Sequence, residues 1–181
     1  ACGPRDYTAD DMFDDLMRIS GGRANPALVR TLCDNARAAA EWLTALGLEW
    51  EAGYPHTAGY RRSPKAGGQG LVDLLYRRLE GNGGIVSYET AAVDLLLAPG
   101  GGIAGVRARG PEGLIDLHAR GGTILACGGF QANVEMRVRY LGRFADALIL
   151  RGSRYNTGEG LMMAIAAGAQ PAGQWGDYHS A

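Results

Sequence analysis

The chain has 181 residues, 46% hydrophobic and 20% charged, with a mean hydropathy of -0.11, a balance that excludes the disordered, collagen-like and membrane-spanning classes. Eighteen Lys and Arg against nineteen Asp and Glu give a net charge of -1, so no basic footprint for a nucleic-acid partner is present. The unusual feature is 29 glycines, about twice the ordinary share of roughly 7%, which calls for many tight turns or close approaches of the backbone to something else.

Thr8 followed by Asp11 has the form of a capping box, and Met12, Leu16, Met17 and Ile19 supply the apolar stripe of a short helix that ends before Gly21-Gly22. Asn25-Pro26 is a strong helix start, because proline at the first helical position gives up an N–H that has no partner anyway. Leu28, Val29, Leu32, Cys33, Ala36, Ala39, Ala40, Leu43 and Leu46 then recur at helical spacing, and Gly47 stands at the expected stop. Residues 50–66, with Tyr54, His56, Tyr60, Arg61, Arg62 and Lys65, read as a long loop of the kind that is often functional. Gly67-Gly68-Gln69-Gly70 opens a helix through Leu79, closed by Gly81-Asn82-Gly83-Gly84.

Strands are expected at Ile85–Tyr88, Thr90–Ala98, Ile103–Arg109 and Leu114–His118, the last three forming an antiparallel meander. Thr123-Ile124-Leu125-Ala126 reads as a compact strand buried on both faces. Helices are expected over Asn133–Tyr140 and from Glu159 to Ala167, with Gly168 as a stop. The fold class is therefore mixed α/β.

Cys2, Cys33 and Cys127 are widely separated, with no C-x-x-C pair and no nearby histidine, so neither a disulfide framework nor a metal site is expected. No secretory signal is visible and the longest apolar runs, such as Ala91 to Pro99, are interrupted by charge. A cytoplasmic setting without a membrane span is the expectation.

Gly100-x-Gly102-x-x-Gly105 matches the spacing of a dinucleotide fingerprint, but the residues after it alternate like a strand. The fingerprint needs a helix there, whose N–H groups face a pyrophosphate, so the stretch is expected to be a hairpin turn. Ala126-Cys127-Gly128-Gly129-Phe130 differs: paired glycines after a strand would let a ligand lie against the backbone, although a plain strand-to-helix turn has the same composition. Asn156-Thr157-Gly158-Glu159-Gly160 places glycines, an amide, a hydroxyl and a carboxylate at a helix start, which capping also explains. Arg151 and Arg154 flank Gly152-Ser153 and could grip carboxylates; they could equally be solvated. His179 closes the aromatic and polar run Trp175-Gly176-Asp177-Tyr178-His179.

Taken in order, Gly68-Gln69-Gly70-Leu71, Ala126 to Asn133, Asn156 to Ala164 with Gly168-Ala169, and His179 resemble the fumarate reductase/succinate dehydrogenase flavoprotein family. Leu150-Arg151-Gly152-Ser153-Arg154-Tyr155-Asn156 is similar to its tricarballylate dehydrogenase-like branch. The resemblance implies an FAD enzyme that passes a hydride between the flavin and a carbon beside a carboxylate. It implies further that residues 1–181 are an internal section of a Rossmann-like FAD-binding domain. That section would lack the N-terminal Gly-rich βαβ unit and the later proton-transfer arginine, and would be inactive alone.

By the same resemblance, Thr90, Ala91 and Ala92 lie by the adenine end of FAD, and Ala126, Cys127, Gly128 and Gly129 approach the cofactor. Asn156, Thr157, Gly158 and Glu159 join that cofactor set, and His179, with Arg154, holds a substrate carboxylate. Cys127 stands where Thr or Ala is common, Glu159 where Asp is frequent, and His179 lacks the Pro-Thr that follows it in fumarate reductases. The expected partners are a small carboxylate substrate, an electron-transfer partner of the whole enzyme, and a second copy of the chain against exposed apolar surface. A ketosteroid dehydrogenase-type enzyme and a non-catalytic interaction module are the alternative functions.

Overall fold

The computed structural model describes residues 7–52 and 62–177; His179, His56 and Cys2 lie outside them. Two compact units divide between Val86 and Ser87.

The first unit starts with helix α1 (Ala9–Ile19), whose Thr8 and Asp11 form the expected reciprocal capping box. Helix α2 (Pro26–Ala45) is capped by the Asn25 side chain and ends before Gly47, whose φ of 101° closes the turn. Arg30 ties the two helices together, donating to Asp10 at 2.6 Å and lying 4.1 Å over the Phe13 ring. Residues 50–66 are not one loop, as expected from sequence: β1 (Trp50–Ala52) and β2 (Arg62–Pro64) pair antiparallel. Three-residue strands carry too few alternating positions to be seen as a pattern. Helix α3 (Gly67–Gly81) packs on β2 and sends the Arg78 guanidinium fork onto the Leu46 carbonyl at 3.0 and 2.7 Å, satisfying an orphan acceptor at the end of α2.

In the second unit β3 (Ala91–Leu97), β4 (Ile103–Gly110) and β5 (Gly113–His118) form the expected meander in the order β3-β4-β5. Helix α4 (Val134–Leu141) is capped by Asn133, a 3₁₀ turn comes next at Ala145–Ala147, and α5 (Glu159–Ala166) packs against β3. Leu95, Ala108, Met136, Ala145 and Met163 form the buried apolar centre of this unit.

Two expected strands are absent. Residues 85–88 and 123–126 form no strand among the described residues, and Ile85 and Ile124 are 89% and 91% exposed. Both stretches have strand composition, but a strand is held by the hydrogen bonds of its neighbours, and neither stretch is a member of the two sheets among the described residues.

Candidate functional site

Gly128 has φ 74°, a left-handed conformation that favours glycine, and it reverses the chain directly after Cys127. The reversal lays this turn on the segment before α5. A Cβ on Gly128 would meet the Asn156 amide at 2.8 Å, and one on Gly160 would meet Cys127 Cβ at 2.7 Å and Sγ at 2.8 Å. Two stretches some thirty residues apart, singled out separately in the sequence, thus form one packed junction. Asn133 locks it: its Oδ1 accepts from Met136 N–H at 3.0 Å as the cap of α4, while its Nδ2 donates to the Thr157 carbonyl at 2.9 Å. The Ala132 N–H donates to the Asn156 carbonyl at 2.9 Å beside it. In the sequence Asn133 is a helix start and the end of the run that resembles the flavoproteins; the amide's second, long-range bond has no local signature.

The glycines here differ in role. Gly158 and Gly160 are buried. At Gly158, φ is 90° and a Cβ would meet Met136 Sδ at 2.6 Å and Phe130 Cβ at 3.0 Å, so its bareness admits the protein's own core. Gly158 is also the cap residue of α5, and no side chain caps that helix among the described residues. Capping, one of the two accounts of this stretch, does not engage its side chains: the Asn156 amide faces Gly128, and the Thr157 hydroxyl bonds the Glu159 carboxylate and the Tyr155 carbonyl.

Ala126, Cys127, Gly128 and Glu159 are exposed, and Gly129, Asn156 and Thr157 are half-buried. Among the described residues, no acceptor takes the backbone N–H groups of Ala126, Cys127, Gly128 or Gly129. An exposed turn with free N–H donors and a left-handed glycine suits an anion or a polar ring edge. Thr90 is half-buried, with its hydroxyl on the Tyr88 carbonyl at 2.8 Å; Ala91 and Ala92 begin β3, the strand that packs on α5.

Beside the junction lies a cavity of about 790 Å³. Its apolar wall includes Phe130, Leu148, Ile149, Leu161, Ile165 and Trp175. Phe130, Tyr140 and Trp175 stack as a cluster with ring centroids 5.0 to 5.8 Å apart. Arg137 and Arg151 also line the cavity, whereas Arg154 does not. Arg154 instead folds over its neighbour, 5.0 Å from the Tyr155 ring, and donates to that residue's hydroxyl at 2.8 Å. His179, its expected companion, is outside the described residues. Sequence reading missed Arg137 altogether, since nothing local distinguishes it from the exposed Arg139 two residues on.

Residues 3–175 match the family model described as "FAD binding domain". NADH:acrylate oxidoreductase of Vibrio harveyi is 31% identical over 157 residues, which are 81% of this chain and 15% of that protein. Urocanate reductase of Eggerthella lenta is 30% identical over 171 residues, 90% of this chain and 28% of that protein. Among solved structures, the 3-ketosteroid-delta4-(5alpha)-dehydrogenase of Rhodococcus jostii RHA1 shares the fold at a TM-score of 0.78 with 20% identity, over 90% of this chain and 41% of that one. The chain thus spans less than a third of the length of the two curated relatives. With a family model matched along nearly its whole length, the chain belongs to the FAD-binding-domain family of flavoproteins.

Proposed function

We propose that this chain is the section of an FAD-dependent oxidoreductase that carries part of the cofactor's binding surface, and that the whole enzyme reduces or dehydrogenates a carboxylated small molecule such as tricarballylate. The observation that carries the proposal is the junction of the Cys127–Gly129 turn with the Asn156–Gly160 segment, which leaves the N–H donors of residues 126–129 without an acceptor among the described residues. Ala126, Cys127, Gly128 and Gly129 would hold FAD through those donors, with Asn156, Thr157 and Glu159 beside them and Thr90, Ala91 and Ala92 toward the adenine. Bound there, FAD would supply a ring that accepts or donates a hydride. The chain's own task is to place that ring and keep its surroundings rigid; Asn133 does this by tying α4 to Thr157. The two curated relatives are named for acrylate and urocanate, both carboxylates, which supports the substrate class.

The test has two steps. Titration of the chain with FAD should change the flavin's visible absorption, and Gly128→Val should weaken binding at least tenfold. In the full-length flavoprotein, tricarballylate should bleach the oxidised flavin, or acrylate, urocanate or fumarate should reoxidise the reduced one. A colourless full-length protein that takes up no flavin on reconstitution defeats the proposal.

A further inference from the structure

The cavity wall holds a buried cation that no carboxylate pairs with among the described residues. Arg137 is 7% exposed. Its Nη1 donates to the Leu148 carbonyl at 2.7 Å and its Nη2 to the Asp146 carbonyl at 3.4 Å, while its buried Nε–H finds no acceptor among the described residues. Carbonyls are neutral: they orient a guanidinium without cancelling its charge, and two of five N–H donors are used. No carboxylate pairs with Arg137 among the described residues. The other charged groups on the wall are the exposed Arg151 and Asp177, the latter engaged in an interaction of its own. A buried cation left so is costly unless an anion comes to it.

Size narrows the anion's identity. A cavity of about 790 Å³ lies in the range of roughly 300–1,000 Å³ that accommodates drug-sized ligands. A two- to four-carbon acid would leave most of the apolar wall facing water. We infer that this cavity binds a carboxylate carried on a bulky apolar body, with Arg137 taking the carboxylate and the wall of Phe130, Leu161, Ile165 and Trp175 taking the body. The described residues that line the cavity all belong to the second unit, and the inference does not rest on the flavin proposal, so it is measured without FAD.

The probe pair is 1-naphthylacetate and its neutral counterpart 1-naphthylacetamide, titrated into the 181-residue chain by calorimetry. The acid should bind at least tenfold tighter than the amide. Arg137→Met should remove that preference. Because Arg137 also tethers the carbonyls of Asp146 and Leu148, a second variant leaves it in place: Ala164→Phe, on the cavity wall in α5, should weaken both probes at least tenfold. Equal affinity for acid and amide, no binding of either at millimolar concentration, or a preference that survives Arg137→Met would overturn the assignment. Competitive displacement of naphthylacetate by FAD would also overturn it, by assigning the cavity to the flavin.

Discussion

The glycines at 100–102 belong to a stretch with the spacing of a dinucleotide fingerprint and stand in open space, whereas those at 128, 158 and 160 have no such spacing and are pressed against the chain's own atoms. At Gly100–Gly102 the chain only has to turn: the Ala98 N–H donates to the Gly102 carbonyl at 3.0 Å, and β4 leaves directly. At the junction the glycines let three segments approach within van der Waals contact, and beside them lie the N–H groups of the Cys127 turn, which no acceptor takes among the described residues. Spacing alone is a poor witness to nucleotide binding; the element that the glycines lead into, helix or strand, and the atoms that fill the space beside them carry the information.

Substitutions can break this contrast. Gly158→Ala combines a left-handed residue with collisions against Met136 and Phe130, and should destabilise the second unit by about 3 kcal/mol, read from urea unfolding. Gly160→Ala, with a φ suited to any residue but a Cβ against Cys127, should cost about 2 kcal/mol. Adding Cys127→Gly should recover part of that loss, the coupling expected of two groups in contact. Gly101→Ala has only its φ of 88° to overcome, with nothing within 4 Å. It should cost about 1 kcal/mol, while Gly100→Ala should change stability by less than about 0.5 kcal/mol. Neither should alter FAD affinity; a loss of flavin binding in Gly101→Ala would reverse the comparison.

The smallest effect is a pH dependence in the same meander. Arg107 donates to both carboxylate oxygens of Asp116 at 2.7 and 2.8 Å and holds its pKa below the usual carboxylate value. A carboxyl depressed by folding contributes stability that is present above its unfolded pKa and is lost as pH falls through the lower folded value. Melting temperatures of the chain and of Asp116→Asn should therefore differ slightly at pH 6 and converge below the ordinary carboxylate range. Asp11, depressed by the Thr8 backbone N–H and hydroxyl, should behave likewise at the start of α1.

The helices were legible because their signals are local. Thr8 with Asp11, Asn25 before Pro26, and Gly47 and Gly168 as stops each act within one turn of the chain. The meander was legible for a related reason, since its strands are joined by short glycine turns and pair with their sequence neighbours. Of the candidate site, the segments around Gly128 and Gly158 could be named, but their mutual packing could not, because the bonds of Asn133 and the contact of Cys127 with Gly160 join residues far apart in sequence.

Composition, caps and turn residues were thus enough to establish a mixed helix and strand chain with a three-stranded meander, each element stabilised by contacts a few residues away. Tertiary structure alone decided that residues 85–88 and 123–126 join no sheet among the described residues, that Gly158 is filled by Met136 and Phe130, and that Arg137 is buried while Arg139 is exposed. Pairing, burial and the company a charge keeps depend on what the rest of the chain brings to that point in space, which no window of residues contains.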